Sequence, residues 1–150
     1  MTPGEMQSAK DLVSSGEPER FIAIDPGKNT GACRYHFGTY KTITLPLSEL
    51  PALLLDEVHG DLDFVAIENF SLVGGVRNND PSMPSSQGIG MTRMACHAAG
   101  IPLYVVQRTS KRAGHQSLDA AGLAAWQAAR NDHERDAVDI AGFVLREARR

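Results

Sequence analysis

The stretch FIAIDPGKNTGACRYHF (residues 21–37) decides the fold. It begins with four apolar residues followed by Asp25, which predicts a short buried strand that ends in a carboxylate. The Pro, Gly and Asn residues between 26 and 30 predict a turn, and the pattern from 31 to 37 predicts a second strand. The alternating segment YKTITL (40–45) predicts a third, so the domain opens with three consecutive strands.

The rest of the chain alternates between helices and strands. We predict helices at 47–58, 87–99, 117–130 and 132–149, strands at 63–68 and 101–106, a long loop at 71–86 and a basic loop at 108–115. Three strands followed by alternating elements indicate an α/β domain with a five-stranded mixed sheet flanked by helices. Residues 1–20 form a polar N-terminal extension, and 21–150 fit one domain with its own core.

The charge is unevenly distributed along the chain. The formal net charge of −3 argues against a nucleic-acid-binding protein. However, residues 1–107 carry 7 Lys and Arg against 12 Asp and Glu, whereas residues 108–150 carry 8 against 6. The segment RTSKRAGH (108–115) therefore predicts a local basic patch of the kind that a phosphate backbone requires, although most basic clusters are solvated surface.

The composition predicts an intracellular protein. No apolar run approaches the roughly 20 residues that cross a bilayer, so no membrane association is expected. Cys33 and Cys96 lie far apart in apolar surroundings and are expected to be buried free thiols in a reducing cytoplasm. The expected compartment is the bacterial cytoplasm, including that of a phage-infected cell.

Two predicted central strands end in a carboxylate. Asp25 closes FIAID, and Glu68 ends FVAIE (64–68). Sites in open α/β sheets gather at the carboxyl ends of the strands, and hard cations such as Mg²⁺ take carboxylate ligands there. An Asp before Pro-Gly is also an ordinary turn cap, so Asp25 alone leaves both interpretations open.

The last predicted helix supplies further acidic residues. Its core stripe has the spacing of one helix face and consists of Ala137, Ile140, Ala141, Val144, Leu145 and Ala148. His133 and Asp136 lie in line with this stripe, whereas Asp132 and Asp139 point away from it at 100° per residue. Glu134 also lies near the stripe, so helix geometry does not choose between His133 and Glu134.

Three segments resemble the motifs of one family. FIAIDPGKNTG (21–31), FVAIENF (64–70) and HERDAVDIAGF (133–143) resemble the first, second and last motifs of RuvC-like Holliday-junction resolvases. The intervening segment SQGIGMTRMACHAAGIPLYVVQRTSKR (86–112) is similar to the family in the order and length of its elements. The resemblance spans about residues 20–148 and implies an RNase H-like fold, in a bacterial or a phage-type member.

The resemblance assigns two sets of residues. The catalytic and metal-binding set is Asp25, Glu68, His133 and Asp136. The family has Asp or His at the first position of its last motif, which favours His133 over Glu134. The expected DNA contacts are Phe70, near an aromatic position that meets unpaired or distorted bases, and Lys111 and Arg112, near the scissile phosphate.

The activity that the resemblance implies is metal-dependent cleavage of Holliday junctions or related branched DNA, in recombination and repair. Two Mg²⁺ ions, for which Mn²⁺ can substitute, would lie about 3.5–4 Å apart and stabilise the attacking and leaving oxygens. A four-way junction has two-fold symmetry, so paired nicks call for a homodimer. The resemblance places the dimer contacts on the helix at 87–99, which is equally well explained as a core helix.

Three alternatives remain from the sequence. An ATP-binding domain of the actin, Hsp70 and sugar-kinase type opens with similar strands, but it needs two such domains and a second phosphate loop. A non-catalytic nucleic-acid-binding domain would be expected to lose at least one of the carboxylates, and none is missing. An RNase H-like nuclease that acts on other branched DNA or on RNA–DNA hybrids fits the same residues.

Overall fold

A mixed β-sheet lies at the centre of the computed structural model, which describes residues 5–6, 17–58, 61–69 and 84–149. The strands are β1 (Glu5–Met6), β2 (Arg20–Asp25), β3 (Asn29–His36), β4 (Thr39–Pro46), β5 (Phe64–Asn69) and β6 (Leu103–Gln107). The helices are α1 (Leu50–Val58), α2 (Pro84–Ala99), α3 (Lys111–Gln116), α4 (Ala120–Ala128) and α5 (Asp132–Ala148).

The strand order is β1-β6-β5-β2-β3-β4. Strands β2, β3 and β4 form the predicted antiparallel meander, whereas β5 pairs in parallel with both β2 and β6. These five strands confirm the predicted mixed sheet. The N-terminal extension adds a two-residue strand, β1, parallel to β6, which no sequence pattern of that length could predict.

The two faces of the sheet are covered by different helices. Alternate residues of β2 point to opposite faces, as they do in any strand. Phe21 and Ala23 pack with the apolar stripe of α5 in one core cluster, whereas Ile22 and Ile24 pack in a second cluster with residues of α1 and α2. Asp25 continues the first set, so it lies on the face that α5 covers.

Helix α5 has an N-terminal cap and the predicted buried stripe. The Asn131 side chain accepts a hydrogen bond from the Glu134 backbone N–H at 3.0 Å, which satisfies one of the free donors of the first turn. All six residues predicted to form the apolar stripe are buried. Because this stripe packs on the sheet, the first turn of α5 lies at the end of the sheet where β2 and β5 finish.

The prediction of a basic loop at 108–115 was wrong. Residues Arg108–Ser110 form a 3-10 turn, and α3 follows it directly. A Cβ at Gly114 would lie 2.0 Å from the Asp139 carbonyl oxygen, and one at Gly142 would lie 2.5 Å from the Gly114 carbonyl oxygen. The close contact between the backbones of α3 and α5 stabilises α3, which is too short to be stable alone. The apolar periodicity of the sequence could not reveal this contact.

Three further predictions concern the loop at 71–86, the two cysteines and membrane association. Helix α2 begins at Pro84, three residues before the predicted position, and the rest of the predicted loop at 71–86 lies outside the described residues. Cys33 and Cys96 are buried free thiols, as predicted. No helix in the described ranges combines the length and the apolar character needed to cross a membrane.

Candidate active site

Asp25 and Glu68 lie side by side at the ends of β2 and β5. The parallel register pairs Ala23 with Ala66 and Ile24 with Ile67, so the next residues are Asp25 and Glu68. Both residues are buried, at 8% and 3% exposure, and their carboxyl groups share a hydrogen bond. The Asp25 carboxyl group therefore faces Glu68.

Gly31 allows the first turn of α5 to touch the sheet beside Asp25. Gly31 pairs with Asp25 in the β2–β3 ladder, and a Cβ on it would lie 2.0 Å from the His133 carbonyl oxygen. No side chain larger than hydrogen fits this contact. It places His133 next to β2, with its Nδ1 atom 3.5 Å from the Asp25 Oδ2 atom and its side chain 46% exposed.

Lys111 lies between the remaining carboxylates. Its Nζ atom is 3.2 Å from the Glu68 Oε1 atom and 3.0 Å from the Asp136 Oδ2 atom, and only 19% of its side chain is exposed. Partial burial would lower the pKa of Lys111, but the hydrogen bond to Asp136 and the charge of Glu68 outweigh it and raise that pKa. The side chain is a fixed ammonium within an acidic cluster and not a freely solvated cation.

The cluster carries more negative charge than Lys111 neutralises. Burial, the hydrogen bond to Glu68 and the negative charges of Glu68 and Asp136 raise the pKa of Asp25 from 3.8 to about 9, against the opposing charge of Lys111. Carboxyl groups this close together in a buried site cannot all ionise without a compensating positive charge. The Asp25–Glu68 pair is therefore a place where a bound cation would be stabilised.

Glu134, the alternative to His133, faces away from this cluster. Its side chain is fully buried and accepts hydrogen bonds from the Thr42 hydroxyl at 2.9 Å, from the Thr44 hydroxyl and from the Arg130 backbone N–H at 3.1 Å. Burial would raise the pKa of Glu134, but these hydrogen bonds outweigh it and lower that pKa to about 2. Glu134 therefore anchors α5 to β4, while His133 on the opposite side of the turn approaches Asp25.

The donor set suits a hard divalent cation. Within the described ranges, no three His, Cys, Asp or Glu side chains are already arranged as a ligand set for a metal ion. The cluster nevertheless combines three carboxylates with an imidazole, and carboxylate oxygens are the ligands that Mg²⁺ and Mn²⁺ prefer. The excess negative charge around Asp25 is a second property that a bound cation would relieve.

The other predicted residues are placed as follows. Arg112 is exposed on α3, one residue after Lys111. Phe70 lies outside the described residues. Asp139, predicted to point away from the core stripe, is covered by α3 and pairs with His115, so that only 13% of its side chain is exposed. No sequence pattern predicted this pair, because it depends on how closely two helices cross.

Comparison with solved structures identifies the fold. The chain is similar to Thermus thermophilus RuvC in complex with a Holliday junction substrate, with a TM-score of 0.58 and 18% identity, over 83% of this chain and 91% of that one. A second Thermus thermophilus RuvC structure gives a TM-score of 0.55 at 18% identity, over 83% and 92% of the two chains. Neither a family model nor a curated protein matches the sequence. The similarity confirms the RuvC-like, RNase H-like fold that the motifs predicted.

Proposed function

We propose that this protein is a metal-dependent endonuclease that cleaves Holliday junctions or related branched DNA by paired phosphodiester hydrolysis. The observation that carries the proposal is the convergence of Asp25, Glu68 and Asp136 around Lys111, with His133 beside them. The fold is shared with a RuvC structure that is bound to a Holliday junction substrate. The cluster lies at the carboxyl ends of parallel strands, where sites of α/β sheets form.

The metal-binding residues we propose are Asp25, Glu68 and Asp136, with His133 as a further ligand or a proton carrier. Two bound Mg²⁺ ions, or Mn²⁺ in their place, would supply Lewis-acid stabilisation of the charge on the attacking and leaving oxygens. Asp25 is the central residue, because it contacts Glu68 on one side and His133 on the other. Removal of its carboxylate charge should therefore affect the whole site.

The remaining side chains orient the substrate and move protons. Lys111 places an ammonium group between Glu68 and Asp136, where it can bind a nonbridging oxygen of the scissile phosphate. His133 is half exposed and lies within reach of Asp25, so its imidazole can accept a proton from the attacking water and release it to solvent. Arg112, exposed on the same helix as Lys111, is available for the neighbouring DNA backbone.

We further propose that the active form is a homodimer. A four-way junction presents two equivalent strands, and one active site on each protomer would nick both. Helix α2 carries Met94 with 75% exposure, and a Cβ at Gly90 would meet no atom within 4 Å. An exposed apolar side chain beside open space supports the use of this helix as the dimer contact.

A substrate panel tests the proposal. The protein is incubated with end-labelled four-way junctions, flaps, RNA–DNA hybrids and linear duplexes, with Mg²⁺ or with a chelator. We expect paired nicks at symmetric positions of the junction in Mg²⁺ only. Cleavage confined to hybrids or flaps would support the alternative nuclease. Tight binding without cleavage of any substrate would indicate a non-catalytic DNA-binding domain.

Two variants of one helix provide a matched comparison. Asp136 lies in the cluster, whereas Asp132, one turn earlier on α5, has a side chain that is 91% exposed. We expect Asp136→Asn to abolish junction cleavage and Asp132→Asn to retain it. If both variants cleave at the wild-type rate, Asp136 does not belong to the active site.

A further inference from the structure

One ion pair and one histidine–carboxylate hydrogen bond join α3 to α5 in succession. Lys111 and Asp136 form the first pair, at 3.0 Å, within the active-site cluster. The His115 Nδ1 atom and the Asp139 Oδ1 atom form the second, at 2.9 Å. Residues three or four positions apart share a helix face, so the second pair lies on the same side of both helices, roughly 5 Å further along them.

The second pair is held in place by the backbone. Gly114 precedes His115, and its backbone contacts the Asp139 carbonyl so closely that a Cβ would lie 2.0 Å from that oxygen. The His115 and Asp139 side chains therefore extend from two main-chain segments in direct contact. Such a pair loses less side-chain entropy on forming than two long side chains that meet on an open surface.

Asp139 and Trp126 fix the orientation of the His115 ring. Burial raises the pKa of Asp139, and the hydrogen bond from His115 opposes this effect. The ring of Trp126 lies against the imidazole with a centroid distance of 4.7 Å. The Nδ1–H group is therefore used by Asp139, while the Nε2 atom has no hydrogen-bond partner among the described residues and 39% of the side chain is exposed.

The helix segment that carries this ring is basic. Residues 108–116 contain Arg108, Lys111, Arg112 and His115 and no Asp or Glu. Arg112 is exposed and lies three residues before His115, so the two side chains share one side of α3. An imidazole that donates its Nδ1–H to a carboxylate, on the same helix side as an exposed arginine, can donate a hydrogen bond from Nε2 to a phosphate oxygen when that nitrogen also carries a proton.

We propose that His115 is a DNA-backbone binding residue, positioned by Asp139 and Trp126, that contacts a phosphate next to the one cleaved. The proposal rests on the proposed nuclease function, because it extends the path of the bound strand from Lys111 along α3. In the imidazolium form the ring donates one N–H to Asp139 and the other to the phosphate.

The salt dependence of DNA binding tests the contact. Junction affinity is measured over a range of salt concentrations in metal-free buffer for the wild type, His115→Ala and His36→Ala. His36 is the control, because it is exposed and pairs with Arg20 at the end of the sheet opposite Asp25. The logarithm of the association constant falls with the logarithm of the salt concentration. We expect His115→Ala to make this negative slope shallower by about 0.9, the value for one phosphate contact, and His36→Ala to leave it unchanged.

A measurement on the wild type guards against a variant that fails to fold. The histidine side chains are labelled with ¹⁵N, and the His115 resonance is assigned by its loss in His115→Gln. Addition of uncleaved junction DNA should shift the His115 Nε2 resonance and leave that of His36 in place. An unmoved His115 resonance, or an unchanged salt slope for a folded His115→Ala, overturns the proposal even if the wild type cleaves junctions. If the wild type does not bind DNA, the proposed function fails as well.

Discussion

Replacement of the buried carboxylate of Glu134 should change the stability of the protein in a way that depends on pH. The pKa of Glu134 is lowered from 4.5 to about 2, so the folded state favours the ionised form. The difference between these two pKa values corresponds to about 3 kcal/mol of folding free energy. This contribution is complete above about pH 5 and is lost as the pH falls towards 2, since the unfolded chain takes up its proton first.

Urea unfolding followed by circular dichroism at several pH values measures this contribution. At pH 7 we expect Glu134→Gln to be less stable than the wild type by about 3 kcal/mol, and the difference should shrink towards zero near pH 2. The control is Asp132→Asn on the same helix, whose exposed carboxylate should contribute within about 0.5 kcal/mol at every pH. A difference between wild type and Glu134→Gln that stays constant from pH 7 to pH 2.5 would refute the reasoning.

Variants at three further positions probe the site. Gly31→Ala should destabilise the protein by about 1–3 kcal/mol and slow cleavage, because its Cβ would collide with the His133 carbonyl; unfolding and cleavage assays check this, and wild-type stability of the variant would contradict it. Lys111→Met should slow cleavage and increase the rise in melting temperature that Mg²⁺ causes, since Glu68 and Asp136 lose their ammonium partner. An equal Mg²⁺-induced rise in variant and wild type would contradict this expectation. His133→Asp should keep substantial junction cleavage whereas His133→Ala should lose most of it, and rates at saturating Mg²⁺ decide between them.

The ends of β2 and β5 could be predicted because a carboxylate stands out in an apolar run. Asp25 and Glu68 each follow four apolar residues, and parallel pairing of the two strands then brings them together. The same argument located α5, since six apolar residues with helical spacing define its buried face. Local sequence therefore carries most of the sheet and two of the site carboxylates.

The rest of the site depends on contacts between distant segments. His133 and Glu134 are adjacent in sequence, and helix geometry alone did not choose between them. The hydrogen bonds from Thr42, Thr44 and Arg130 show that Glu134 is the anchor. The position of Lys111 depends on α3, a helix of six residues with no periodic apolar pattern. Helix α3 is stabilised where the Gly114 backbone packs directly against α5. This contact joins two separate segments, so neither segment predicts it alone.

The most direct test of the account compares cleavage with binding in Asp25→Asn. Asp25 is the residue that contacts both Glu68 and His133, whereas most of the binding energy should come from basic groups on the phosphate backbone. We therefore expect Asp25→Asn to bind a four-way junction with nearly wild-type affinity and to produce no nicks in Mg²⁺. An Asp25→Asn protein that cleaves junctions at close to the wild-type rate would contradict the assignment of this cluster as the active site.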